Sequence, residues 1–327
     1  MKIFITGATG SIGQHLVKML LLRGHTIHAL VRSLKPAQPL NTDNIVLFEG
    51  DIMNKDDVNK AMRGCQQVYH LAAFAKVWAR NTGLFYSINV EGTVNVLEAA
   101  VKNNIEKVVV TSTAGIFGPS LSSIITEKKI REIDLFNEYE GSKMAAESLI
   151  KDFVNQYKLN IVIVSPSRVY GPFLFGPLSS TTILIDKYVN HSWRIYPGTG
   201  KEIGNYVYIE DVALGHILAM EKGQIGHTYL LGGENHDYVS FYAVLGEVAN
   251  IKRKMIRVPL WMQLAIARWQ LFLANQFGIE PKITPKWVSK GRYNWELSSE
   301  KAFQELGLPV TPLKEGLIKT VAYLRTL

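Results

Sequence analysis

Tyr139 and Lys143 stand four residues apart in Tyr139-Glu140-Gly141-Ser142-Lys143, at the start of a long helical pattern, so they share one helix face. A phenol beside an ammonium can give up or take back a proton, because the positive charge stabilises the phenolate and lowers a pKa that is ordinarily about 10. A Tyr/Lys pair at this spacing is common by chance and needs a context. A glycine loop supplies one. Lys2–Thr6 reads as a strand, Gly7-Ala8-Thr9-Gly10-Ser11-Ile12-Gly13 follows, and an amphipathic helix begins at once. Gly7 permits a tight turn, Gly10 lets the backbone approach a diphosphate, and Gly13 lets the helix pack closely on the strand. The N–H groups of Thr9 to Ile12 and the positive helix end can then hold the diphosphate of a dinucleotide. The spacing is GxxGxxG, not the commoner GxGxxG.

The end of the next strand bears on which dinucleotide. An acid there, about twenty residues beyond the loop, normally takes the ribose 2′-hydroxyl. Here Thr26–Val31 ends in Arg32-Ser33, with Lys35 just beyond and no acid. A carboxylate would repel a 2′-phosphate, whereas the Arg32 guanidinium can bind it with paired, charge-assisted hydrogen bonds. The expected cofactor is therefore NADP(H), ahead of NAD(H).

These groups need a frame. β-Branched runs at Lys2–Thr6, Thr26–Val31, Ile45–Glu49, Gln67–His70, Lys107–Thr111 and 160–164 alternate with helical patterns at 12–23, Lys55–Met62, 83–102 and Glu138–Tyr157. In the third of these helices Val90, Val94, Leu97 and Val101 recur at helical spacing and mark the buried stripe. The pattern implies an α/β fold with a doubly wound parallel Rossmann sheet and a ligand crevice at the carboxyl ends of its strands. After Pro166, turn signals multiply: Gly171-Pro172, Gly176-Pro177 and Pro197-Gly198-Thr199-Gly200. A strand at 206–209 and a helix at 211–221 then read as a return to the main sheet. The expected division is a dinucleotide-binding domain over 1–165, rejoined by 206–231. A smaller, discontinuous C-terminal substrate domain takes 166–205 and 232–327.

Composition excludes several classes. The chain has 327 residues, 47% apolar and 20% charged, enough for a large core and too apolar for disorder. Its single cysteine, Cys65, excludes an internal disulfide and agrees with a reducing, cytoplasmic setting. Met1-Lys2 runs straight into the strand that the glycine loop needs, so the start reads as fold and not as a leader. The net charge of +8 suits a phosphorylated cofactor; no Lys/Arg run is long enough for a nucleic-acid arm, and no nucleic acid is expected. No HExxH pattern or cysteine cluster suggests a metal, and Gly-x-Ser-x-Gly is absent. Leu260–Phe277 is apolar but interrupted by Arg268, Gln and Asn, so no transmembrane span is expected. It reads as a helix packed over the second domain, with a membrane-surface or substrate-entrance helix as the alternative.

Thr6-Gly7-Ala8-Thr9-Gly10-Ser11-Ile12-Gly13 resembles the opening of the extended short-chain dehydrogenase/reductase family, the group of nucleotide-sugar epimerases, dihydroflavonol reductases and 3β-hydroxysteroid dehydrogenases. Gly50-Asp51-Ile52, His70-Leu71-Ala72-Ala73, Asn89-Val90-Glu91-Gly92-Thr93, Tyr206-Val207-Tyr208-Ile209-Glu210-Asp211 and Leu231-Gly232-Gly233 resemble its later landmarks in order. Only 259–295 lacks one. Tyr139 and Lys143 then match the family's YxxxK pair. The resemblance implies that Asp51 and Ile52 meet the adenine, although Asp51 alone could be a helix N-cap. It implies that Leu71, Ala72 and Ala73 line the adenosine and diphosphate path, and that Lys143 reaches the ribose. At the end of the fifth strand, Thr113, with Ser112 second, would bond the substrate oxygen while Thr111 borders the cofactor. Pro166, Ser167 and Val169, in Ser165-Pro166-Ser167-Arg168-Val169-Tyr170-Gly171-Pro172, would meet the nicotinamide. A homodimer is expected.

Departures from the family narrow the activity. No acidic pair follows Thr113, as it does in sugar-nucleotide dehydratases. Ile203-Gly204-Asn205 stands where epimerases place an arginine against the substrate diphosphate. Phe74, Trp78, Phe117, Phe173 and Phe175 are candidates for an apolar pocket wall. The expectation is an NADP(H)-dependent oxidoreductase acting on a small, largely apolar carbonyl compound or alcohol. A nucleotide-sugar epimerase and a non-catalytic NADP sensor are the alternatives.

Overall fold

A computed structural model describes residues 1–40, 42–176, 178–196 and 198–327. Pro177 and Pro197, read above as turn signals, lie outside the described residues. In chain order the strands are β1 (Lys2–Thr6), β2 (Thr26–Val31), β3 (Ile45–Glu49), β4 (Gln67–His70), β5 (Lys107–Thr111), β6 (Ile161–Pro166), β7 (Arg168–Tyr170), β8 (Ile195–Tyr196), β9 (Ile203–Tyr208), β10 (Thr228–Leu231), β11 (Glu234–Asp237) and β12 (Ile256–Arg257). The helices are α1 (Ser11–Leu22), α2 (Lys55–Met62), α3 (Gly83–Tyr86), α4 (Gly92–Lys102), α5 (Glu138–Tyr157), α6 (Ser180–Asn190), α7 (Ile209–Lys222), α8 (Tyr238–Ala249), α9 (Leu260–Phe277), α10 (Pro285–Lys290) and α11 (Leu313–Leu324).

Seven parallel strands form the main sheet in the order β10-β6-β5-β4-β1-β2-β3. Successive side chains alternate between its faces. Ile3, Ile5 and Val109 join a core with Leu16, Leu20 and Ile217, while Phe4, Val108 and Val110 join one with Val58, Val96 and Ile150. Helices cover both faces, which is why these strands read as almost unbroken apolar runs. Strand order reverses between β1 and β4, and the glycine loop after β1 opens into the crevice there.

Two expectations need correction. The strand at 206–209 does not rejoin the main sheet: β9 lies between β11 and β7 in a separate three-stranded sheet. Its partner β7 has only three residues inside what reads as a turn, so the sequence shows β9 no local mate. The return is made by α7, whose Val212 and Ile217 join the main core, and by β10, which pairs with β6. The stripe at 83–102 is also rotated. Leu97 is buried as expected, but a π turn at Ser87–Glu91 widens the helix, so Asn89, Thr93, Val96 and Ala100 are buried with it while Val90, Val94 and Val101 are half-buried.

The smaller sheet packs against α6, α8 and α11 around Tyr170, Tyr208, Phe241, Leu245 and Leu317. Farther out, α9 buries only Ala267 and Ala274, while Trp261, Trp269 and Phe277 are 70%, 61% and 70% exposed. Among the described residues no helix is long and apolar enough to cross a membrane.

Candidate active site

The glycine loop turns as its sequence requires. Gly7 has φ +76°, and a Cβ there would lie 2.7 Å from the Ala72 nitrogen; a Cβ on Gly13 would lie 2.1 Å from the Gly7 carbonyl oxygen. Both contacts exclude a side chain, and so bring β1, α1 and the end of β4 together. No side chain caps α1 and its first turn holds no acid, which leaves N–H groups and a positive helix end facing the crevice. Two hollows meet here. One, of about 220 Å³, is walled by Arg32, Asp51, Ile52, Phe74 and Ala72; the other, of about 300 Å³, by Ser11, Ile12, Gly13, Thr111, Ser112, Thr113, Tyr139, Lys143, Pro166, Ser167 and Val169. They share Gly7, Gly10, Leu71 and Ala73, and Thr9 lies on the first, so they form one groove. A dinucleotide fits this donor set. Arg32 is exposed at its far end. Asp51 does not cap α2; Asn54 does, and Asp51 Oδ1 instead accepts from the Met53 N–H at 2.9 Å.

The loop beside the groove hangs on a buried relay. The Ala72 N–H donates to Thr6 Oγ1 at 3.2 Å, and Thr6 Oγ1 lies 2.7 Å from His70 Nδ1. His70 Nε2 lies 2.9 Å from Thr93 Oγ1, which donates to the Asn89 carbonyl oxygen at 2.7 Å. Each hydroxyl has one proton to give, so His70 accepts at Nδ1 and donates from Nε2. Burial, and next the Lys143 charge, hold its pKa down at about 3, so it stays neutral. The relay fixes Leu71–Ala73 against β1, a role that the sequence reading left unassigned.

Asn137 caps α5 by accepting the Glu140 N–H at 2.9 Å, and so sets the turn that carries Tyr139. Lys143 is 4% exposed and donates to the Thr111 carbonyl oxygen at 2.7 Å. Burial lowers its pKa to about 8, against the attraction of Glu147. The Tyr139 phenol is pushed up to about 12, by burial first and then by Glu140, with Thr113 pulling the other way. The lowering expected from Lys143 is not found, because its ammonium turns to Thr111. The three hydroxyls at the end of β5 separate. Thr111 pairs with His216 Nε2 at 2.8 Å, Ser112 faces inward towards Glu147, and Thr113 borders both the groove and the adjoining hollow.

Beyond Tyr139 lies a cavity of about 260 Å³. The aromatics expected around it are elsewhere: Phe117 and Phe173 are core, Phe74 lies on the groove, and Trp78 and Phe175 are not in its wall. Tyr206, Tyr238, Phe241, Tyr242 and Trp287 form the wall instead, from β9, α8 and α10. Arg168 and Lys290 also line it. The Arg168 guanidinium sits 5.6 and 5.4 Å from the Tyr206 and Tyr238 ring centres and donates to Tyr238 Oη at 3.0 Å. A Cβ on Gly204 would lie 2.4 Å from Arg168 Nη1. The space over Gly204, two residues before Tyr206, is thus occupied by an arginine from the neighbouring strand. No local pattern marks Arg168 for this position; only the β7–β9 pairing brings it there.

A nucleotide groove on a doubly wound sheet, with a Tyr/Lys pair at its inner end, defines a Rossmann-type protein built for nicotinamide chemistry. Residues 3–232 match the NAD dependent epimerase/dehydratase family, and the chain belongs to that family, whose members bind a nicotinamide cofactor. A Synechocystis protein named "Putative dihydroflavonol 4-reductase" is 31% identical, over 97% of this chain and 93% of its own. The mouse protein named sterol-4-alpha-carboxylate 3-dehydrogenase, decarboxylating, is 27% identical, over 98% and 90%. The crystal structure of gox2253 superposes with a TM-score of 0.83 at 28% identity, covering 99% of this chain and 98% of that one.

Proposed function

We propose that the protein is an NADP(H)-dependent oxidoreductase, similar to dihydroflavonol reductases, that interconverts a ketone or aldehyde and the matching alcohol. The observation that carries this reading is the position of Tyr139, which borders both the cofactor groove and the aromatic cavity. In this reading the N–H groups of Thr9 to Ile12 hold the diphosphate and Arg32 the 2′-phosphate. Asp51, Ile52 and Leu71 to Ala73 line the adenosine path, and Pro166, Ser167 and Val169 face the nicotinamide. The bound nicotinamide supplies or receives the hydride. Thr113 hydrogen-bonds the substrate oxygen. Tyr139, protonated at neutral pH with its raised pKa, delivers the phenolic proton as charge develops on that oxygen. Lys143, anchored on the Thr111 carbonyl oxygen, holds the ribose. Residues 1–165 with α7 and β10 would carry the cofactor, while the segment from β7 through β9 and residues 232–327 supply most of the cavity wall.

The names of the two relatives, a reductase and a dehydrogenase, support hydride transfer. The test follows NADPH oxidation against aromatic ketones, steroids, aldehydes and sugar nucleotides; consumption with an apolar carbonyl compound is the expected result, and none with any of them would end the reading. A nucleotide-sugar epimerase stays in view because Arg168 fills the space over Gly204. Calorimetry with UDP- and dTDP-sugars separates the two. The outward face of α9, with Trp261, Trp269 and Phe272 exposed, supports contact with a membrane surface from which an apolar substrate would arrive.

A further inference from the structure

The charges around the aromatic cavity do not balance. Arg168 and Lys290 line both this cavity and the smaller hollow of about 90 Å³ beside Thr113, Lys76 lines the cavity as well, and no Asp or Glu is in either described wall. Lys76 pairs with Glu280 at 3.0 Å. Lys290 has a partner: its ammonium donates to Glu140 Oε1 at 2.8 Å. Glu140 is fully buried and also binds Arg131 at 2.9 Å, so one carboxylate serves two cations. Arg168 has none. Its side-chain partners among the described residues are two phenols, Tyr238 at 3.0 Å and Tyr206 at 3.4 Å, and no carboxylate pairs with it. A guanidinium stays charged at any ordinary pH, and Arg168 is half-buried, so part of its hydration is lost with no anion to replace it. A fold that keeps such a group beside its reacting centre has a use for the charge.

We infer that Arg168 is an anion-recognition residue, and that the substrate is an apolar carbonyl compound or alcohol bearing a carboxylate. The guanidinium fork can take one carboxylate through two parallel hydrogen bonds, while the surrounding rings accept an apolar body. One unpaired cation matches one carboxylate better than a nucleotide diphosphate, which brings more charge and a polar base into an aromatic wall. The nature of the reacting group rests on the redox reading; the anion site does not.

The test is calorimetry on the full chain loaded with NADP⁺, using 2-naphthoate, 2-naphthamide, 2-naphthyl phosphate and UDP. Wild type binds the acid about tenfold or more tightly than the amide, the scale of a hydrogen bond to a charged group. Arg168→Gln and Arg168→Met abolish that preference by weakening the acid far more than the amide, while Arg168→Lys keeps part of it. Both neutral variants melt no lower than wild type, because a half-buried cation without a carboxylate partner has gone. The acid–amide comparison on wild type needs no variant, so a variant that fails to fold leaves the test intact. Equal binding of acid and amide overturns the inference, as does tighter binding of the phosphate or UDP than of the acid. NADPH oxidation with a neutral ketone is scored separately, so loss of the acid preference beside retained turnover removes the anion site and leaves the oxidoreductase.

Discussion

Lys143 and Thr111 join helix α5 to the end of β5: the Lys143 ammonium donates to the Thr111 carbonyl oxygen at 2.7 Å. The bond holds a buried ammonium at the inner end of the cofactor groove, one helical turn from Tyr139. Glu147 lies four residues beyond Lys143, also buried, beside the hydroxyls of Ser112 and Ser165. Glu147 raises the Lys143 pKa, and burial lowers it more, to about 8.

This arrangement predicts a basic limb in the pH profile of carbonyl reduction. Lys143 is charged below about pH 8 and neutral above it, so kcat/KM falls as the pH rises through that value. Glu147→Gln removes the carboxylate that favours the ammonium, so the limb moves to lower pH. Profiles of wild type and variant with one substrate check this, and a limb that stays in place separates Glu147 from Lys143.

Arg32→Ala is expected to weaken NADPH by about 1.5–3 kcal/mol, the range for a hydrogen bond to a charged group, and hardly to affect NADH. Dissociation constants of both cofactors for both proteins decide it. Equal losses, or a wild-type preference for NADH, would count against Arg32 as the phosphate partner.

The surface of α9 predicts binding to anionic vesicles. Residues 251–292 contain nine Lys and Arg against one acid, Glu280, and that acid pairs with Lys76. Trp261, Ala265, Trp269, Phe272 and Gln276 follow one another at helical spacing on the outward face. Co-sedimentation with phosphatidylglycerol vesicles should exceed that with phosphatidylcholine, fall with salt, and fall in Trp261→Ser/Trp269→Ser. Light scattering that shows a dimer with this face covered, and no sedimentation, would assign it to a second copy of the chain.

The main sheet was legible because its signals are local. Strands β1 to β5 are apolar runs that end where turn residues begin, and the glycines at 7, 10 and 13 sit between a strand and a helix. Tyr139 and Lys143 are one turn apart. The cavity was not legible for the opposite reason. Tyr206, Tyr238 and Trp287 come from three distant segments, and Arg168 reaches the space over Gly204 only through the pairing of β7 with β9. Strand β10, four residues long, escaped because it follows a helix and a turn without an extended apolar run. Phe117 and Phe173 lie near the motifs in sequence yet face the core, since proximity along a chain does not fix direction.

The central claim is that Tyr139 gives its proton to the substrate oxygen. Tyr139→Phe keeps the ring and removes only that proton, and general acid–base catalysis contributes on the order of a hundred- to ten-thousand-fold. Turnover of NADPH with the best carbonyl substrate should fall by that factor in Tyr139→Phe, while the NADPH dissociation constant stays nearly the same. A variant whose turnover stays within about threefold of wild type, far short of that catalytic contribution, would contradict the account.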